Sequence, residues 1–314
     1  MGADLHEQIV DSIEDLQGAH EGCRRVHAKG TLLDGTFTAA PGASELTRAT
    51  HMSGEPVRVT ARFSNGSGKP DAHDGAKDGR GLAVKFYAPE GATTDIVCIT
   101  LPVFFVRTPE DFLEFTRARR PVGDTGQPDP ELIGAFVEAH PESLPAIQLS
   151  LAAESAESYA RLRYFGIHAF RWIGAGGAET LVRYRWEPEA GIGSIAEEES
   201  RGRSRDYLGE ELLERVAAAP VAFTLHVQIG EEGDPADDPT AAWPDERESR
   251  EVGRLELTGA DTARERDGDV LVFDPTRLTA GIELTGDQIV RARSHAYSVS
   301  VERRAGIPRP AGLG

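Results

Sequence analysis

The chain has 314 residues, 39% of them hydrophobic and 27% charged, the balance of an ordinary water-soluble globular protein. Its 52 acidic residues against 34 basic ones give a formal net charge of -18, a surface that repels DNA, RNA and anionic membranes and argues against those partners. Its two cysteines, Cys23 and Cys98, form no CxxC and are expected as free, partly buried thiols; no stretch of 18 apolar residues and no leader-like N-terminus occurs, so a cytoplasmic protein is expected.

Leu5, Ile9, Ile13 and Leu16 recur at helical spacing, which predicts an amphipathic helix over 4–17, broken by Gly18 and Gly22. From Thr31 to Leu101 the text turns to short β-rich runs, TLLDGTFTA, VRVTARFSN, GLAVKFYAP and TTDIVCITL, separated by clusters of Gly, Pro, Asp and Asn. Helical spacing returns at 109–118 and over 129–153, followed by strands near 164–174 and 178–186, a helix at 207–218 and the strand AFTLHVQIG. Residues 231–251 are polar and aperiodic and read as a long surface loop, of a size that often carries function. GRLELTG and DVLVFDP read as two last strands. A final helix is predicted over 285–304, with Thr285 as N-cap and Asp287 in its first turn. No internal repeat or low-complexity linker interrupts the chain. The pattern predicts a single α+β domain over 1–314, with antiparallel strands closing into a barrel and helices outside.

The last helix holds the most specific local arrangement. Arg293, Tyr297 and Arg304 lie at i, i+4 and i+11, so they share one helical face. Holding a tyrosine ionised at neutral pH takes about 4 kcal/mol of preferential stabilisation. A guanidinium together with a ferric ion supplies that, whereas a wet arginine alone does not. By spacing alone, a core tyrosine beside a solvated arginine is the commoner reading. His27, in the Gly-bounded segment GCRRVHAKG, offers a side chain able to accept and return a proton near neutral pH, though a structural histidine fits the same text. PVFFVRTPEDFLEF supplies a rigid aromatic wall or plain core packing, and Arg24, Arg58 and Arg62 are basic residues able to bind carboxylates in an acidic chain. His51 and His73 read as solvated loop residues. Metal-protease, nucleotide-binding and serine-hydrolase motifs (HExxH, the Walker loop, GxGxxG, GxSxG) are absent.

Taken in order, RRVHAKG, VRVTARFS, DGRGLAVKFYAPEG, DIVCITLPVFFVRTPEDFLEF, FGIHAF, DPTAAWPDERESREVGRLEL and FDPTRLTAGIELTGDQIVRARSHAY resemble the haem catalase family, and the likeness runs from about residue 20 to 304. The resemblance implies a catalase-like antiparallel β-barrel with surrounding α-helices, in a minimal version without a C-terminal extension. It implies haem b, with Tyr297 as the axial iron ligand, a type of ligation associated with catalases. Arg293, His168 and Asp287 would continue a proximal hydrogen-bond network. Arg24, Arg62 and Arg304 would pair with the haem propionates, and Val26, Phe105 and Phe112 would line the distal face. His27 would move a proton between the peroxide oxygens, which leaves a ferryl haem. The distal asparagine of true catalases has no match, its position falling on Thr100. The chain is also expected to lack the family's long N-terminal arm. Both departures point to a small catalase-related peroxidase acting on organic hydroperoxides with an external electron donor and keeping weak catalase activity. An ordinary catalase acting on hydrogen peroxide, or a fatty-acid hydroperoxide-rearranging enzyme, is the alternative; Val26 stands where the rearranging enzymes carry Thr. A homodimer is expected.

Overall fold

In the strands that form the barrel, side chains alternate between two faces. The computed structural model of the protein describes residues 4–123, 126–261, 264 and 270–306. Eight antiparallel strands close on one another among these residues: β1 (Gly30–Ala39), β2 (Val57–Asn65), β3 (Arg80–Tyr87), β4 (Thr93–Ile99), β5 (Tyr164–Phe165), β7 (Glu179–Pro188), β8 (Val221–Ile229) and β9 (Ser249–Ala260). The order around the ring is β9-β1-β2-β3-β4-β5-β7-β8, with β8 returning to β9. The short strands β6 (Phe170–Ile173) and β10 (Ile282–Leu284) extend the sheet beyond β7. Register shifts at Asp34/Gly35 and Leu225/His226 bend the strands where the sheet curls on itself.

Strand β8 shows the pattern plainly: Val221, Phe223, Leu225 and Val227 are buried and alternate with more exposed residues. Phe37, Phe63, Phe86, Phe223 and Trp186 fill the barrel with no solvent-exposed surface, each contributing roughly 1.5–3 kcal/mol by burial. Gly253 on β9 makes room for one of them. A Cβ there would lie 2.2 Å from the Phe37 ring. Gly253→Ala is therefore expected to lower the unfolding free energy by about 1–3 kcal/mol through overpacking, read by chemical denaturation.

Strand β2 is buried on both faces. Val59, Ala61 and Phe63 enter the barrel core, while Arg62 and Ser64 point to a cavity outside it. Helices α1 (Leu5–Gln17), α2 (Pro109–Ala118) and α6 (Gln288–Arg304) pack together over that cavity. Ile9 and Ile13 of α1 meet Leu113 and Phe112 of α2. Arg303 of α6 pairs with Asp11 at 2.6 Å and Glu14 at 2.8 Å, and Glu14 also holds Arg25. The remaining long helices are α3 (Pro130–Ala139), α4 (Leu144–Ala152) and α5 (Tyr207–Ala218).

Several sequence expectations are corrected here. The helical stretch over 129–153 is two helices, because His140 leaves the helical region (φ -126, ψ 67) immediately before Pro141. The DVLVFDP segment forms no strand over 270–275. Asp287, not Thr285, caps the last helix: its Oδ1 accepts from Ile289 N at 2.8 Å and Val290 N at 3.2 Å. His51 is buried rather than solvated, packed on Phe86 at 4.8 Å between ring centroids. Cys23 and Cys98, by contrast, are both free thiols as expected.

The segment between β8 and β9 is irregular yet firmly tied. Pro239 O accepts from Phe104 N at 2.8 Å, Ala236 O accepts from Thr285 Oγ1 at 3.0 Å, and Asp237 Oδ1 accepts from Gly286 N at 2.7 Å. Arg183 of β7 donates from below to the carbonyls of Asp238 and Ala241 at 3.1 and 2.7 Å.

Candidate active site

The cavity beneath α1, α2 and α6 has a volume of ≈ 680 Å³, well within the range for small-molecule and cofactor sites. It brings together Arg24, Val26, His27, Arg62, Phe105, Phe112, His168, Arg293, Tyr297 and Arg304, residues that span the chain from the segment before its first strand to its last helix.

One wall is built by α6. Tyr297 Oη accepts from Arg293 Nε at 2.9 Å and Nη2 at 2.6 Å, the i, i+4 spacing placing the guanidinium one turn before the phenol. Arg293 Nη1 lies 3.0 Å from His168 Nε2. A guanidinium only donates, so Nε2 accepts and the His168 proton sits on Nδ1. From there it is donated to Asp287 Oδ2 at 2.7 Å. The chain Tyr297–Arg293–His168–Asp287 is thus continuous, and it ends on a carboxylate that also caps the helix carrying the phenol. Burial holds His168 below its ordinary histidine range despite the Asp287 carboxylate beside it, which keeps it neutral and able to accept from Arg293. Asp287 itself lies behind His168 and does not line the cavity.

Across the cavity stands His27, whose backbone takes φ 55, the only left-handed non-glycine residue among those described. Such a conformation costs of order 1–3 kcal/mol and persists where surrounding structure fixes it. Here His27 N donates to Gly66 O at 3.1 Å and His27 O accepts from Arg62 Nη1 at 2.9 Å. Its Nδ1 meets Ser64 Oγ at 3.0 Å, so Nε2 is left for the cavity. Gly81 has no side chain to intrude: a Cβ there would sit 3.1 Å from the imidazole and 2.8 Å from Ser64 Oγ. Burial, with Arg62, Arg293 and Arg24 adding positive charge, pushes the His27 pKa down to about 3. The imidazole is therefore neutral, an unprotonated base, through the whole physiological range.

Thr100 does not join this wall. Its hydroxyl accepts from Arg80 N at 3.0 Å and its N–H donates to Arg80 O at 2.9 Å, closing the end of the β3–β4 ladder. The neighbouring Ile99, paired with Gly81 across the strands, lines the cavity instead. The expectation that Thr100 offers a hydroxyl to the distal face is corrected to an aliphatic side chain at that place. Ser64 and Ile99 escaped the sequence reading. Ser64 carries a signal, since a strand places it on the face of Arg62 two residues earlier.

Phe105 and Phe112 pack with tilted rings at 5.6 Å between centroids beside Phe104, forming the aromatic wall. Arg24 Nη2 and Arg304 Nη2 reach Leu271 O, at 2.8 and 3.5 Å, which gathers their guanidinium groups at one end of the cavity. The donor set fits an iron porphyrin: a phenol oxygen on one wall, an imidazole on the other, and arginines suited to carboxylates at the edge.

The sequence model of the Catalase family matches residues 7–308 of this chain. A catalase-related peroxidase of Mycolicibacterium paratuberculosis is 42% identical over 306 residues, which cover 97% of this chain and 96% of that protein. One from Synechococcus elongatus is 36% identical over 95% of this chain and 88% of its own length. The crystal structure of a fungal catalase superposes with a TM-score of 0.82 at 24% identity, over 91% of this chain and 59% of that one. The protein therefore belongs to the catalase family, and that membership implies that it binds haem. No helix among the described residues is long and apolar enough to cross a membrane.

Proposed function

We propose that this protein is a haem b-dependent peroxidase that reduces organic hydroperoxides with an external one-electron donor and retains weak catalase activity. Family membership and the two catalase-related peroxidases similar over nearly the whole chain support action on peroxide. The observation that carries the finer reading is the distal wall: one neutral imidazole set among Val26, Ile99, Phe105 and Phe112, with no hydroxyl from Thr100.

Tyr297 would hold the haem iron, Arg293 would direct two donors at the ligating oxygen, and Arg24, Arg62 and Arg304 would take the propionates. When bound, the haem supplies an iron that polarises the peroxide and passes on the donor's electrons. The protein's own part is proton transfer and exclusion of water. In the tautomer whose Nδ1–H donates to Ser64 Oγ, His27 has an Nε2 lone pair free to take the hydroperoxide proton from the inner oxygen. The same atom returns it to the outer oxygen as the O–O bond breaks. The net reaction consumes R–OOH, two electrons and two protons and yields R–OH and water. The aliphatic Ile99 offers no hydrogen bond to orient a second hydrogen peroxide, whereas it accommodates an apolar substituent R.

The purified holoprotein is expected to consume cumene hydroperoxide in the presence of a phenolic donor, with a visible absorption change on addition of a peracid. Oxygen evolution from hydrogen peroxide at rates typical of catalases, with no turnover of cumene hydroperoxide, would overturn the reading in favour of a true catalase. Because burial and the adjacent arginines keep His27 unprotonated down to about pH 3, the second-order rate with peroxide is expected to stay level from pH 8 to pH 5. A lowered pKa extends the basic form to acid pH, so a break near 6.5 would show an ordinary, solvated imidazole.

A further inference from the structure

The charges around the cavity run against those of the chain. Against a formal net charge of -18, the cavity lining holds the cations Lys69, Lys77 and Arg119 besides Arg25 and the arginines assigned above, and Asp78 is its one carboxylate among the described residues. These three cations are solvent-exposed, and among the described residues the only other exposed one in the lining is Ala76, so they mark where the cavity opens. Lys69 and Lys77 lie on the segment between β2 and β3, and Arg119 caps the C-terminus of α2, so they belong to two separate elements.

None of the three has a carboxylate within 4.0 Å among the described residues. Lys77 Nζ donates to Leu151 O at 3.3 Å, and Arg119 lies 5.3 Å from the Phe115 ring centroid. Asp78 is already engaged, accepting from Ser67 N at 2.7 Å and lying 3.5 Å from Arg80 Nη1. Inward of this rim the wall is apolar, through Phe112 and Phe105 to Ile99 and His27. The negative surface elsewhere is screened over about 8 Å at physiological ionic strength, so an anion at the rim responds to these cations first.

We propose that the physiological substrate is an amphipathic hydroperoxide bearing a carboxylate, of the long-chain fatty-acid hydroperoxide class, with its carboxylate held by Arg119, Lys69 and Lys77. The chain lies along the phenylalanine wall and the hydroperoxide reaches His27. This inference rests on the peroxidase reading and assigns the rim a specificity role within it.

The test compares a long-chain fatty-acid hydroperoxide with its methyl ester, below their micellar concentrations, in the holoenzyme. Because each variant is read as its own acid-to-ester ratio of kcat/KM, losses of fold or haem content cancel. Partly exposed charge contacts contribute a few-fold each, so the wild type is expected to favour the acid about tenfold. Arg119→Gln is expected to lower the ratio several-fold, Arg119→Lys to keep most of it, and the triple change Lys69→Gln, Lys77→Gln and Arg119→Gln to bring it near one. Calorimetric binding of the corresponding hydroxy fatty acid is expected to weaken in the same order. A wild type that turns over acid and ester equally, or a ratio unmoved by the triple change, overturns the carboxylate site and leaves the peroxidase reading standing. Failure to turn over any hydroperoxide, cumene hydroperoxide included, overturns the peroxidase reading itself.

Discussion

His27→Ala is expected to lower the rate of peroxide cleavage by about 10²–10⁴-fold, the usual contribution of a placed acid–base group, while haem still loads. The expectation follows from how completely the imidazole is fixed. Ser64 holds Nδ1, Arg62 holds the backbone carbonyl, and Gly81 leaves space for the ring. Neither Ser64 nor any cavity-facing residue of β4 offers a second base: Val97, Cys98 and Ile99 are the β4 residues there, and burial holds the Cys98 thiol protonated. Alanine tolerates the left-handed backbone of position 27 poorly, so stability losses are separated by His27→Asn, a residue type that accepts this conformation. Asparagine keeps a polar group but has no basic nitrogen, and its rate is expected to fall with that of alanine. A variant retaining more than a tenth of the wild-type rate at full haem occupancy would remove His27 from the proton transfer.

Tyr297→Phe is expected to abolish retention of haem through purification, or to leave a weakly held haem with a displaced Soret band. Phenylalanine keeps the ring and its packing on α6 and removes only the oxygen. It also strands two guanidinium donors of Arg293 that now meet Oη at 2.6 and 2.9 Å, and leaving such donors unsatisfied costs roughly 1–3 kcal/mol. Thermal denaturation of the haem-free forms separates the two effects, since the stranded guanidinium lowers stability with or without the cofactor. Unchanged haem stoichiometry and an unchanged spectrum would show that Tyr297 is not the ligand.

Much of this site is legible because its residues obey local periodicities. Arg293, Tyr297 and Arg304 share a face by helical arithmetic alone, and the two-residue period of β2 sets Arg62 and Ser64 on the face opposite Ala61 and Phe63. The ordered resemblance then joins segments far apart in the chain, such as His168 and Asp287, which no local pattern connects. The misses occur where an element ends. Thr100 and Ile99 differ by one residue, but Thr100 lies just past the end of β4, where its hydroxyl is drawn into the last rung of the ladder with Arg80. Periodicity has no hold there. His51 reads as a polar loop residue because the sequence around it is polar, yet the short helical turn at Thr50–Met52 presses its ring onto the barrel's Phe86. The division at His140 turns on a proline rule that the helical spacing on either side of Pro141 obscures.

The tied segment between β8 and β9 sets the separation of the two walls of the cavity. Through Pro239 it grips the backbone of Phe104 on one side, and through Ala236 and Asp237 it grips the turn that launches the tyrosine helix on the other. It acts as a strut between the jaws of a clamp, braced from the barrel by Arg183. Lengthening this strut by a few residues would loosen the jaws on both faces at once, while every rung of the barrel ladder stayed paired.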